Sequence, residues 1–370
     1  MTEPHRFATR AVHAGLEPDP TYGSVIPAIH QTSTYAQAAP GEFVEDFDYS
    51  RSANPTRAAL EKALGELEGG LGTAFSSGMA ATHALLTAAA NAGDHVVLPN
   101  DLYGGTYRLV DKVLRRWGLS YDLVDQQDPA ALAGVVRPET AVVWIETPTN
   151  PLLNVVDVEA AVRAVKARSP KAIVAVDNTF ATPAVQRPLE LGADAVVHST
   201  TKYLGGHSDV VGGAVIVRDA ELHEQVRFVQ NSVGAVPGPF DCFLVHRGLR
   251  TLHLRVRAHT ENARAVVQFL RDEGVEDVRW PGFGGMVSFR HPDATRIAAA
   301  TELFTLAESL GGVESLIEVP QAMTHQSVEG SAAAVPPDLV RLSCGVEAAE
   351  DLVGDLRAAF ATVRGAATAV

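Results

Sequence analysis

His198-Ser-Thr-Thr-Lys-Tyr-Leu-Gly-Gly-His207 follows a short apolar run, Ala195–Val197, that reads as a buried strand. A lysine flanked by hydroxyls and glycines at such a strand end is badly placed for a solvated surface charge. It is well placed to form an imine with an aldehyde while the neighbouring hydroxyls hold a phosphate.

Upstream, Val174-Ala-Val-Asp-Asn-Thr-Phe180 is a second apolar run ending in a carboxylate, Asp177. An anion at the end of a buried strand is costly unless a positive partner meets it. A protonated pyridine nitrogen is such a partner. Lys202 and Asp177 on successive strand ends therefore outline a pyridoxal phosphate (PLP) site. Phe75-Ser-Ser-Gly-Met-Ala-Ala81 adds a helix start, with Gly78 and Met79 opening it, where backbone N–H groups and the helix dipole favour a phosphate. An ordinary serine N-cap explains the same residues. Tyr103, in Asp101-Leu-Tyr-Gly-Gly-Thr106, is a candidate to stack on the cofactor ring, or else a core tyrosine.

Around these motifs strands and helices alternate. Apolar runs at 96–99, 121–124, 141–146, 173–177, 195–198 and 214–217 read as strands buried on both faces, and helical patterns cover 79–92, 106–117 and 157–168. Asn54-Pro55 reads as an N-cap and first helical residue, opening a helix with Leu60, Ala63, Leu64 and Leu67 on one face and Glu61, Lys62 and Glu66 outside. The alternation predicts an α/β fold with a mostly parallel sheet, whose ligands bind beyond the carboxyl ends of the strands. Residues 1–50 read as an extended arm and 51–248 as the large domain. Residues 249–370 read as a smaller α+β domain with a long helix, strands at 286–290 and 339–343, and a final helix at 348–361.

The 370 residues suffice for one large and one smaller domain. A net charge of −14 argues against a nucleic-acid partner. The basic stretch Arg247-Gly-Leu-Arg-Thr-Leu-His-Leu-Arg-Val-Arg257 reads as one half-buried amphipathic helix. Two distant cysteines, Cys242 and Cys344, suit a reducing cytoplasm rather than a disulfide framework. No signal peptide or membrane-spanning run is apparent, and the 13 histidines form no metal-binding pattern.

The motifs together resemble the cystathionine γ-synthase/γ-lyase family of Cys/Met-metabolism PLP enzymes nearly end to end. Tyr49-Ser-Arg-Ser-Ala-Asn-Pro-Thr56 is similar to the family segment whose Tyr and Arg, here Tyr49 and Arg51, reach a neighbouring subunit's cofactor phosphate. The resemblance implies PLP-dependent fold type I, with a seven-stranded sheet in the large domain, and a cytoplasmic homotetramer of two active dimers. It places the phosphate cup on Gly78, Met79, Ser199 and Thr201, the stacking and proton-transferring tyrosine on Tyr103, and the pyridinium partner on Asp177. Thr179 falls beside these in the cofactor site, and Lys202 is the lysine that carries PLP. For the amino-acid substrate it implies Asn150, Arg341 as the carboxylate clamp, and Glu308 and Ser309 facing the side chain.

The resemblance implies chemistry at Cγ. Cystathionine γ-lyase activity (cystathionine to cysteine, 2-oxobutanoate and ammonia) is placed slightly ahead of cystathionine γ-synthase activity (an O-acylhomoserine plus cysteine). Homoserine sulfhydrylase, methionine γ-lyase and an inactive PLP-binding relative are further alternatives. Glu308, and Gly105 where methionine γ-lyases carry cysteine, lower methionine as substrate. Trp280-Pro-Gly-Phe-Gly-Gly285 joins directly two motifs that relatives separate by a longer segment.

Overall fold

The computed structural model describes residues 5–326, Gly330 and 334–367. Its larger sheet contains β1 (Leu71–Phe75), β2 (His95–Pro99), β3 (Ser120–Val124), β4 (Thr140–Glu146), β5 (Ile173–Asp177), β6 (Ala195–His198) and β7 (Gly213–Val217). Across the sheet they run β1-β7-β6-β5-β4-β2-β3. Every adjacent pairing is parallel except the two made by β7. Side chains alternate between two packed faces. Val96, Leu98, Val142 and Trp144 join one core cluster, while Val97, Val143 and Ile145 join another on the opposite side. A sheet covered on both faces leaves only its strand ends open for chemistry.

The helix Pro55–Glu68 forms as its sequence predicts. Asn54 Oδ1 accepts from Thr56 N and Arg57 N, Pro55 occupies the first turn, and Gly69 ends the helix at φ 88°. Leu60, Ala63, Leu64 and Leu67 are buried. Glu61, expected outside, turns inward and accepts from Ala74 N at 3.0 Å, pinning β1. The pattern at 106–117 is less regular than expected. A short α-helix (Gly104–Arg108) widens into a π turn (Leu109–Val113) and tightens into a 3₁₀ turn (Leu114–Trp117).

The basic stretch 247–257 is not one helix. It straddles the end of Pro239–Leu249 and the start of Leu252–Asp272, and Arg255 is buried, donating to Tyr203 O at 2.6 Å and Gly248 O at 2.7 Å. One carbonyl at the helix break, Gly248 O, and one from the turn after Lys202, Tyr203 O, thus claim a guanidinium that the pattern suggested was solvated. Leu252 and Val256 pack on the larger sheet's core, whereas Val266, Val267 and Leu270 pack in the second.

The second sheet contains β8 (Val278–Arg279), β9 (Met286–Arg290), β10 (Thr305–Leu306), β11 (Leu316–Glu318) and β12 (Leu339–Ser343), in the order β10-β11-β12-β9-β8. Only β10 and β11 pair in parallel. Helices Leu252–Asp272, Ala294–Ala300 and Ala349–Ala367 cover it. Residues 278–286 turn tightly through Gly282 and Gly284, both at positive φ, with Trp280 Nε1 donating to Gly284 O. Residues 5–50 form one helix, Phe7–His13, followed by a largely exposed irregular segment.

Candidate active site

A cavity of about 260 Å³ opens at the carboxyl ends of β4, β5 and β6. Glu146, Asp177 and the Ser199–Lys202 turn come from the larger sheet. Loops beside the smaller sheet supply Glu308 and Ser309, and β12 supplies Arg341. Lys202 Nζ donates to Ser309 Oγ at 2.9 Å. Burial, and then Arg341, push the Lys202 amine down to about 8, against the opposing pull of Glu318 and Glu308.

Asp177 and Glu146 are register partners on β5 and β4. Asp177 Oδ1 accepts from Thr179 N at 3.0 Å. Burial pushes its carboxyl upward, while the Thr179 bonds and His198 favour the charged form. An anion held in this way has the chemistry to meet a pyridinium. Glu146 lies deeper and accepts from Tyr103 N at 3.0 Å and Asn150 N at 2.8 Å. Burial first, and Asp177 second, drive it well above the carboxylate range. Its two accepted bonds fasten the Tyr103 and Asn150 loops.

The helix Gly78–Ala89 points its N-terminus into the cavity's wall, with Ser77 Oγ accepting from Ala80 N. A β-carbon at Gly78 would stand 2.8 Å from Ser199 Cβ, so glycine is what allows the helix start to approach the lysine turn. Thr201 Oγ1 donates to Gly212 O, and Ser199 N donates to Thr179 Oγ1. Free N–H groups at a helix start, ringed by hydroxyls, fit a phosphate. At Gly105 a β-carbon would run into the Tyr103 ring and Met79 Sδ. The bare backbone there lets the ring fold back toward the cavity, and Tyr103 is 38 % exposed.

Arg341 is 3 % exposed. Its Nη1 donates to Asn150 Oδ1 at 2.8 Å and faces Glu318 Oε1 at 3.0 Å; Nη2 donates to Ser309 O at 2.9 Å. That leaves Nε–H, which has no partner, and one N–H of Nη2. Those two form the side edge of a guanidinium, whose geometry matches a carboxylate.

Of the residues singled out from sequence, Gly78, Met79, Tyr103, Asn150, Asp177, Thr179, Ser199, Thr201, Lys202, Glu308, Ser309 and Arg341 line one cavity. Tyr49 and Arg51 do not. Arg51 donates to Asn231 O at 2.9 Å and stacks over Tyr49. Sequence reasoning missed Ser77, Thr324 and Glu318. Ser77 was visible as an N-cap, but Glu318 acts through a cross-strand pairing with Arg341 that no local pattern shows. Among the described residues no cluster could hold a metal, and no helix is long and apolar enough to cross a membrane.

A lysine and an aspartate on neighbouring strand ends, with a phosphate-fitting helix start beside them, define the class as a PLP-dependent enzyme of fold type I. Residues 8–361 match the model of the Cys/Met metabolism PLP-dependent enzyme family, and the chain belongs to that family. It is 53 % identical over 375 residues to a cystathionine γ-synthase of Mycobacterium tuberculosis (strain ATCC 25618 / H37Rv), covering 95 % of this chain and 96 % of that one. The solved cystathionine γ-synthase of Xanthomonas oryzae pv. oryzae, in complex with aminoacrylate and cysteine, superposes with a TM-score of 0.92 at 42 % identity, covering 98 % and 99 %. Cystathionine γ-lyase of Lactobacillus plantarum, complexed with L-serine, does so with a TM-score of 0.92 at 39 % identity, covering 97 % and 100 %. The chain is thus a PLP-dependent trans-sulfuration enzyme with a small amino-acid substrate.

Proposed function

We propose that the enzyme acts at Cγ of a four-carbon amino acid, and that γ-replacement, the cystathionine γ-synthase reaction, is its principal activity. In that reaction the Cγ–O bond of an O-acylhomoserine breaks, the carboxylate leaves, and cysteine sulfur loses its proton and bonds to Cγ. The observation that carries this ordering is the 53 % identity, across nearly both full lengths, to a protein named as such a synthase. γ-Elimination from cystathionine is the second reading, favoured by the similarity to a γ-lyase at 39 % identity.

When bound, PLP supplies an electron sink that stabilises negative charge at Cα. Around it Lys202 carries the cofactor and then moves protons at Cα and Cβ. An amine pushed to about 8 suits that work near neutral pH. Asp177, steadied by Thr179, holds the ring nitrogen protonated. Gly78, Met79, Ser199 and Thr201 seat the phosphate, with Tyr49 and Arg51 of a second subunit completing it. Tyr103 covers the ring and takes a proton from the substrate amine. The free edge of Arg341, braced by Asn150, clamps the α-carboxylate, while Glu308 and Ser309 face the γ-substituent.

We further take the molecule to be a cytoplasmic homotetramer of two active dimers, divided into an arm (1–50), a large domain (51–248) and a small domain (249–370). The free, buried thiols Cys242 and Cys344 suit a reducing compartment.

The test is a side-by-side assay. One arm supplies O-succinyl- or O-acetylhomoserine with cysteine and follows cystathionine. The other supplies cystathionine alone and follows 2-oxobutanoate. A replacement rate more than about tenfold higher, ~1.4 kcal/mol in the barrier, is expected. The reverse ratio makes the enzyme a lyase, and sulfide accepted in place of cysteine makes it a sulfhydrylase.

A further inference from the structure

Beside Arg341 a chain of polar groups that the chemistry above does not use runs from buried Glu318 through Thr324, at the cavity wall, to buried His325. Glu318 on β11 faces Arg341 on β12 across the strand pair, and the two are register partners. Thr324 Oγ1 lies 3.0 Å from Glu318 Oε1 and 2.9 Å from His325 Nδ1, and His325 Nε2 lies 3.2 Å from Asn150 O. Glu318 and His325 are each 1 % exposed, so water does not replace a missing partner. The last link returns to the residue whose side chain braces Arg341.

Each of the three contacts needs a proton to be a hydrogen bond. The carbonyl of Asn150 can only accept, so His325 Nε2 must carry a proton. The Thr324 hydroxyl has one to donate, toward either Glu318 or His325. An ionised Glu318 and a neutral His325 therefore provide two protons for three hydrogen bonds. In that state one contact is two acceptors side by side, and it becomes a hydrogen bond only if Glu318 is protonated or His325 is an imidazolium.

We infer that Glu318, Thr324 and His325 form a relay that takes up one proton when a carboxylate docks on Arg341. This rests on the reading of Arg341 as the substrate's carboxylate seat. Before docking, Arg341 is the counter-charge that keeps Glu318 ionised. A second carboxylate on the same guanidinium dilutes that attraction, and the proton that completes the hydrogen-bond chain becomes favourable. The charged groups facing Glu318 are Arg341, Glu308 and Lys202, and Arg341 also faces His325. Burial pushes Glu318 upward, opposed chiefly by Arg341. Burial, then Arg341, push His325 down to about 4. The added proton accordingly resides at the Glu318 end, with Glu318 donating to Thr324 and Thr324 to His325. The three residues are positioning groups: they set how much of the Arg341 charge is free for substrate.

Butanoate, a carboxylate without an amine, tests this on the PLP-loaded enzyme because it brings no amine proton of its own. Calorimetric binding heats in buffers of different ionisation enthalpy count the protons exchanged, and the cofactor's absorbance band reports separately any protonation at Lys202. About one proton per butanoate, not accounted for by the cofactor band, is expected. Between the free and bound pKa of the relay, affinity should fall up to tenfold per unit rise in pH. Glu318→Gln should abolish the uptake and flatten the pH profile. Thr324→Val, which leaves the Glu318–Arg341 pair in place, should move the uptake to lower pH by a unit or more, and it decides the matter if Glu318→Gln fails to fold. Buffer-independent heats in the wild type, uptake that persists in Glu318→Gln, or no butanoate binding by a yellow, active enzyme would each overturn the relay. Loss of the proposed function would show instead as an absence of turnover on every Cγ substrate, whatever butanoate does.

Discussion

Lys202 Nζ and Ser309 Oγ meet at 2.9 Å across the cavity, joining a loop that follows the larger sheet to a loop beside the smaller one. Ser309 sits at φ 89°, a backbone that L-residues rarely adopt. Alanine bears the same β-carbon, so Ser309→Ala removes the hydroxyl without changing that strain. The lysine loses one hydrogen bond of about 1 kcal/mol and the orientation it fixes. We expect kcat to drop roughly tenfold, with PLP affinity unchanged in an equilibrium titration. Unchanged kcat would mean that the hydroxyl does not steer the amine.

Lys202→Ala should abolish turnover yet keep PLP bound, because the helix start at Gly78 and the hydroxyls of Ser199 and Thr201 do not depend on the lysine. Borohydride reduction of the wild type followed by mass spectrometry should place the pyridoxyl group on Lys202; an adduct on Lys166 or Lys171 would displace the site. In the apoenzyme the amine stands at about 8. Its reactive neutral fraction rises with pH and saturates above that value. Reconstitution with PLP should accordingly accelerate up to tenfold per pH unit below 8 and level off above it.

The chemistry of this site was legible in sequence because it resides in short segments that follow apolar strands: Asp177 after Val174–Val176, Lys202 after Ala195–Val197. Buried strands write themselves as apolar runs, and six of the seven in the larger sheet were legible in that way, although β3 at the sheet's edge is half-exposed and not buried on both faces as expected. β1, Leu71-Gly-Thr-Ala-Phe75, carries a glycine and a threonine and was not expected. β8, β10 and β11 are two or three residues long, too short for periodicity. The relay beside Arg341 was illegible for a different reason. Glu318, His325 and Asn150 meet only through strand pairing and loop closure.

Gly105→Ala is expected to lower kcat/KM by more than about tenfold, since its β-carbon would occupy the space of the Tyr103 ring. The backbone at 105 is helical, so stability should change little. A shifted circular-dichroism band of the bound cofactor would accompany the loss. Retention of full activity would show that Tyr103 need not lie where the structure puts it.

His259 is buried, bonded through Nδ1 to Cys344 O at 2.7 Å, and packed edge-on against Tyr203. Burial holds its imidazole down at about 4. The unfolded chain, with an ordinary histidine near 6.5, binds a proton that the folded chain refuses between those values. Stability should therefore fall as pH drops from about 6.5 to 4, by on the order of 3 kcal/mol from this residue. Thermal melts of wild type and His259→Gln across that range check it; parallel curves would assign the acid loss to other groups.

Arg51 and Tyr49 lie outside the cavity of their own chain, which leads to a prediction about assembly. An Arg51→Ala variant and a Lys202→Ala variant should each be nearly inactive alone. If the arm serves a neighbour's phosphate, a mixed dimer holds one site with both residues intact. Activity should then rise well above either parent after subunit exchange. Exchange confirmed by mass spectrometry, with no rescue, would remove the arm from the site.

Glu308 bears on which substrates enter. It lines the cavity beside Ser309, and its charge is felt by Tyr103 and Lys202. A carboxylate at that position can accept from an ammonium group at the far end of cystathionine, whereas the methyl thioether of methionine offers it nothing and must desolvate it. Glu308→Val exchanges the two preferences. The variant should lose more than about tenfold in kcat/KM on cystathionine, a loss of at least ~1.4 kcal/mol in transition-state stabilisation, while methionine turnover stays level or rises. Equal losses on both substrates would show that Glu308 supports the loop and does not read the distal group.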